Sequence, residues 1–209
     1  MKAKETSEQQ ADDSSRALTG EQAARLLRQL QRTTREFTTA QRIVKAMCRC
    51  SDAAASETEE LPFLTEVCKA VVDLGGYRMA WVGFAQDDEA KSVRPEAWAG
   101  AEDGYLKAIR ISWGDNEFGR GPTGTAIRLG EPCTMGSIPV STPFAPWRAE
   151  AVARGYQSSV AIPLLAKGHA AGALNIYSGV EAFSEDEVEM LSALAKVVTN
   201  GLTAICKAG

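Results

Sequence analysis

The chain has 209 residues, 44% of them hydrophobic, and a formal net charge of -4. That length suits one domain of ordinary size with extensions and a packed core. The acidic balance gives no strong pull on nucleic acid or on an anionic membrane, so neither is expected as a partner. No apolar run approaches the roughly 18 residues of a membrane span. The first ten residues lack the apolar segment of a signal peptide, so a cytoplasmic address is expected. Five cysteines, an odd number, argue against a disulfide framework in a chain of this size.

In chain order, residues 1–17 are small, polar and charged and read as a disordered tail. Residues 18–56 read as one long helix, opened by a capping-box spacing at Thr19 and Gln22. Within it Leu26, Leu30, Thr33, Phe37, Ala40, Val44 and Met47 alternate steps of four and three, a heptad seam. Arg25, Arg28, Arg32, Arg35, Arg42, Lys45 and Arg49 make the same helix basic. Such a helix is usually a solvated face; it could also touch nucleic acid or an acidic surface, or pair with the acidic start of the last helix.

Residues 57–209 read as one α/β (α+β) domain. Leu61 to Leu74 has helical spacing and stops at Gly75-Gly76. Arg78 to Ala85 and Ser92 to Gly100 read as two strands of a meander, with Pro95 marking an edge or a bulge. Tyr105 to Ile111 fits helix and strand equally. Pro122 to Leu129 reads as a short helix, with proline at its first position and Gly130 past its end. Pro146 to Arg154 reads as another, ended by Gly155. Gln157–Ala166 and Ala170–Ser178 are strands joined by a hairpin at Lys167-Gly-His169. A second capping box, Ser184 to Glu187, opens the last helix. That helix carries Val188, Leu191, Ala195, Val198, Leu202 and Ile205 in the same threes and fours. Two destinations are open for these seams: the domain's own sheet, or a second copy in a parallel dimer.

Gly119-x-Gly121-x-x-Gly124 matches the dinucleotide fingerprint by letter only. The segment before it does not read as a buried parallel strand, and no acid follows at the required distance in a next strand. What remains is a turn feeding a helix whose first amides, near Thr123, Gly124 and Thr125, could meet an anionic or carbonyl group. On residue chemistry alone a simply capped helix explains the segment as well.

The glycine turn at 119–130, the strand Gly155 to Leu164 and the strand Gly172 to Ser178, in this order ahead of an amphipathic helix, resemble a GAF domain over about residues 59–206. Trp81-Val-Gly-Phe84 and Trp98-Ala-Gly100 resemble its first two strands. The resemblance implies an antiparallel sheet of five to six strands, terminal helices on one face and a pocket of loops and short helices on the other. It also implies small-molecule sensing, a homodimer, and an output kinase, cyclase or phosphodiesterase module elsewhere. The ligand is unknown, and no cofactor is named.

Strand alternation then sorts the side chains. Val160, Ile162, Leu164, Leu174 and Ile176 should face the helices; Ser159, Ala161, Asn175 and Tyr177 should face the pocket. Trp98, Phe118, Trp147 and Tyr156 fall on or beside pocket-side loops, and Thr125 sits in the glycine turn. Aromatic walls with a few amides and hydroxyls suit a small planar ligand. The expected ligand residues are therefore Trp98, Phe118, Thr125, Trp147, Tyr156, Ser159, Asn175 and Tyr177, with Asn175 the foremost polar one. Each aromatic could equally be ordinary core.

Chemistry beyond binding is not expected. The single histidine, His169, lies in a hairpin turn, which disfavours bilin, heme, zinc and triad readings. Cys48, Cys50, Cys68, Cys133 and Cys206 lack the spacing that reductases of free methionine sulfoxide would need, and no cyclic-nucleotide signature is matched. The expectation is a non-enzymatic sensory domain. The alternatives are an interaction module without ligand, or such a reductase.

Overall fold

The computed structural model describes residues 20–166, 168–180 and 182–208. The tail at 1–17 and the Thr19 cap lie outside the described residues. Two compact units divide the chain at Thr38 and Thr39. The described part of the first is helical throughout, the opening of helix α1, Gly20–Ser56. There Leu26, Leu27, Leu30 and Phe37 are exposed.

The second unit begins with the rest of α1. Its buried face is Ile43, Ala46, Cys50 and Ala53, a set offset from the expected seam, and Val44 stays exposed. Small residues on that face let the helix approach its neighbours closely. Helix α2, Glu60–Lys69, continues as a π-helical turn over Ala70–Leu74, and Gly76 follows it at φ 77°. Strands β1, Met79–Ala85, and β2, Val93–Gly100, come next. The register shifts opposite Pro95, on the edge strand β2. Helix α3 covers Tyr105–Ala108 and helix α4 covers Pro122–Leu129. Gly130 closes α4 in the left-handed region, as its sequence position requires. The three-residue strand β3, Cys133–Met135, was not foreseen. A 3-10 turn at Ala145–Trp147 leads into α5, Arg148–Ala153. Strands β4, Ser158–Ala166, and β5, His169–Ser178, precede α6, Glu185–Ala208.

The five strands are antiparallel, in the order β2-β1-β5-β4-β3. The second capping box is present in full: the Glu187 amide donates to Ser184 Oγ at 3.2 Å, and the Ser184 amide donates to the Glu187 carboxylate at 3.4 Å.

The sheet separates two cores. Val160, Ile162, Leu164, Leu174 and Ile176 meet Phe63, Leu64, Leu191, Leu194 and Val198 from α2 and α6. The α6 seam thus lies largely on the domain's own sheet. Among the described residues Glu185–Lys207 is long and apolar enough to cross a membrane by length and composition, in contrast to the expectation that no segment would be. In the domain its apolar face is core. On the other side of the sheet Met79, Trp81, Ala173 and Tyr177 meet Tyr105, Phe144, Trp147 and Tyr156.

Two thiols in the helical core set a pH limit. Burial pushes Cys50 up to about 12 and also pushes Cys68 up. Both are neutral in the fold and ionise earlier in the unfolded chain, near the ordinary 9.0. Stability from them is complete below that value and is lost as pH rises toward the folded one, at about 1.4 kcal/mol per pH unit per thiol. The urea midpoint is therefore expected to fall steadily above about pH 9. A midpoint unchanged between neutral pH and that alkaline range would contradict it.

Candidate functional site

The second core encloses a small cavity of about 10 Å³, close to the volume that holds one water. Its walls come from Tyr105 of α3, Ile109 and Ile111, Phe118, the start of α4, Phe144 and Trp147, and Tyr177 of β5. No lining side chain is charged.

Glycines bring the start of α4 this close. A Cβ on Gly121 would lie 2.5 Å from the Trp147 ring, so the bare backbone is what lets the indole rest there. A Cβ on Gly124 would lie 2.3 Å from the carbonyl oxygens of both Ser112 and Gly119. Arg128 ties the preceding loop to the helix: its Nη1 donates to Trp113 O, Gly114 O and Gly119 O at 3.1, 3.0 and 2.6 Å. Gly121 caps α4 without a side-chain hydrogen bond, and the Thr123 and Gly124 amides precede any intrahelical acceptor.

The polar groups are few and mostly engaged. Thr123 donates its hydroxyl to Asn175 Oδ1 at 2.7 Å, and Asn175 Nδ2 donates to Ala173 O at 3.1 Å. The hydroxyls of Tyr105 and Tyr177 are 3.3 Å apart. Trp147 Nε1 donates to Arg110 O at 2.6 Å. Burial pushes the Tyr105 phenol up, and Tyr177 beside it adds to the shift. Burial raises Tyr177 too, against the Tyr105 hydroxyl and the nearby Trp81 indole, which lower it. Both phenols are neutral through the physiological range. Ser159 Oγ, buried on this side of the sheet, has no protein partner, and Trp81 Nε1 lies near the Tyr177 hydroxyl without a hydrogen bond of ordinary geometry.

Of the residues expected from sequence, Phe118, Trp147 and Tyr177 border the cavity. Tyr156 stands behind it, its ring 4.6 Å from Tyr177 and 5.3 Å from Tyr105, with its hydroxyl donated to Ala101 O. Asn175 and Ser159 are buried on the expected face of the sheet, and Asn175 reaches the cavity wall through Thr123. Two expectations need correction. Trp98 lies on the edge strand β2, 48% exposed, and is not among the residues that line the cavity. The Thr125 amide is spent on Gly121 O at 3.0 Å and its hydroxyl contacts Arg120 O and Arg128, so it serves the helix instead. Tyr105, Phe144 and Thr123 were not among the expected residues. Thr123 was legible, since it occupies the first turn of the glycine-fed helix. Tyr105 and Phe144 lie in segments without regular periodicity.

Cys133, half-buried, faces Ala161 across the β3–β4 pair and does not border the cavity. Burial raises its thiol, and Arg128 opposes that shift. Among the described residues no cluster of three or more His, Cys, Asp or Glu side chains could hold a metal.

The chain is similar in structure to the GAF domain of a phosphoenolpyruvate-protein phosphotransferase from Coxiella burnetii, at 18% identity and a TM-score of 0.66 over 81% of this chain and 98% of that one. It is also similar to a free methionine-R-sulfoxide reductase from Neisseria meningitidis, at 19% identity and a TM-score of 0.64 over 80% of this chain and 92% of that one. The reductase of Staphylococcus aureus aligns at 14% identity and a TM-score of 0.61, over 77% of this chain and 94% of that one. No curated protein matches the chain. The expectation that the chain has no enzymatic activity does not stand: solved structures sharing its fold include reductases of free methionine sulfoxide, so catalysis lies within the reach of the fold. At these identities the likeness carries the fold and no activity. The sequence itself matches the GAF domain profile over residues 58–203. With that match, the five-stranded antiparallel sheet and the helices covering its face, the chain belongs to the GAF domain family.

Proposed function

We propose that this GAF domain is a sensory or regulatory module that takes up a small molecule at the cavity between β5, the start of α4 and Trp147. The observation that carries this reading is the lining itself. Five aromatic rings and one strand-anchored hydroxyl surround a site without charge, a wall composition typical of small-molecule pockets. With room for about one water, the site must widen to admit a ligand. Its walls sit on loops and short helices that can shift without breaking the sheet. Tyr177 is on β5, whose opposite face carries Leu174 and Ile176 against the helices. A displacement of the sheet floor would thus reach α2 and α6.

The experiment is ligand protection against heat, comparing the wild type with Gly121→Ala. That substitution must displace the Trp147 ring while leaving the sheet intact. Output would pass to a partner through helix α1. Its exposed Leu26, Leu30 and Phe37 are offered for pairing with the same segment of a second copy. Sedimentation velocity checks this; a monomer at micromolar concentration would remove the pairing.

A further inference from the structure

Charge is unevenly spread along α1 and the start of α2. Residues 25–49 hold seven arginines and lysines and a single acid, Glu36. Residues 50–66 hold five acids and no arginine or lysine. Arg25, Arg28, Arg32 and Arg35 follow at steps of three, four and three, so they form one row along the helix, turned away from Leu26, Leu30 and Phe37. Among the described residues Arg32 alone of the four is ion-paired, to Glu36 at 2.7 Å.

The acidic stretch is equally short of counter-charge. Of its five acids only Glu66 is ion-paired among the described residues, to Arg49 and Lys69 at 3.0 and 2.9 Å. Asp52, Glu57 and Glu59 border a groove between the end of α1 and the start of α2, with the exposed Leu61 on its wall. The last turn of α1 carries no basic residue. A helix C-terminus is already partly negative, so acids gathered there favour a cation from outside. A metal ion does not meet that need, since among the described residues no group of three acidic, histidine or cysteine side chains could hold one. A basic helical ridge does, because each guanidinium presents a planar fork that matches a carboxylate. The chain carries such a ridge itself.

We propose that the row Arg25, Arg28, Arg32 and Arg35 of one copy docks in the groove at Asp52, Glu57 and Glu59 of a second copy. The contact uses a different face of α1 from the apolar seam. It therefore adds to the pairing of Leu26, Leu30 and Phe37 and does not depend on it.

Sedimentation velocity on the full chain at about 0.05 M salt tests the docking. One variant reverses the row, with Arg25→Glu, Arg28→Glu and Arg35→Glu. The other reverses the groove, with Asp52→Lys, Glu57→Lys and Glu59→Lys. Each is expected to weaken self-association by about 10-fold or more, as is raising the salt to about 0.5 M. Mixing the two reversed proteins is expected to bring association back, because each then meets the complementary charge on the other. None of the six side chains is buried, so far-UV circular dichroism and melting curves should stay close to wild type. Reversed proteins that associate like the wild type, a mixture as weak as its parts, or a wild type that stays monomeric at low salt would overturn the docking. Leu30→Asp tests the seam separately. If it alone abolishes association while both reversals change nothing, the apolar pairing stands and only the docking falls.

Discussion

Gly124→Ala is expected to destabilise the domain by about 2–3 kcal/mol, lowering Tm by roughly 5–10 °C in a chain of this size. In an exposed helix the same change has the opposite sign, since alanine is favoured over glycine by up to about 1 kcal/mol. Here two effects compete and packing decides. The new methyl would lie 2.3 Å from two backbone oxygens, those of Ser112 and Gly119. Neither is the end of a flexible side chain. Relief requires moving the start of α4 off the 112–119 loop, against the three hydrogen bonds that Arg128 Nη1 makes to that loop. A melting curve at or above the wild-type value would show that the loop and helix are not in this contact.

Trp147→Ala is expected to cost more, about 3–5 kcal/mol in urea unfolding. The side chain is buried, its ring packs at 66° against Phe144, and its indole donates to Arg110 O. Removing it opens a hole beside a cavity that is already there, so the surroundings have little to collapse onto. It also leaves the Arg110 carbonyl without its donor. Trp147→Phe separates the two contributions: it keeps a ring and is expected to lose only about 1 kcal/mol with the hydrogen bond. If alanine cost as little as phenylalanine, the ring would not be packed as described.

Local chemistry made much of this fold legible. Pro122 and Gly130 bracket α4, and Ser184 with Glu187 opens α6, because caps depend on residues within one turn of each other. Strand alternation sorted Ile162, Leu174 and Ile176 from Asn175 and Tyr177 for the same reason: the pleat is a local period. Tertiary partners were not legible. The heptad spacing of α1 pointed to Val44, but the domain buries the neighbouring face through Ile43, Ala46 and Cys50. Strand β3 has three residues and takes its pairing from β4, not from its own sequence. Trp98 shares the strand pattern of its neighbours and yet stays exposed, since exposure depends on what covers the edge. Tyr105 reaches the cavity from the four-residue helix α3 and Phe144 from the residue before a 3-10 turn, both too short for a period to mark the inward side.

The most direct measurement is a thermal-shift screen of small molecules against the wild type and Gly121→Ala in parallel. The account predicts at least one compound that stabilises the wild type and not the variant. At about 100 times its dissociation constant such a compound adds about 2.7 kcal/mol, a rise of roughly 5–11 °C. Equal protection of both proteins would place binding away from Trp147 and contradict the account.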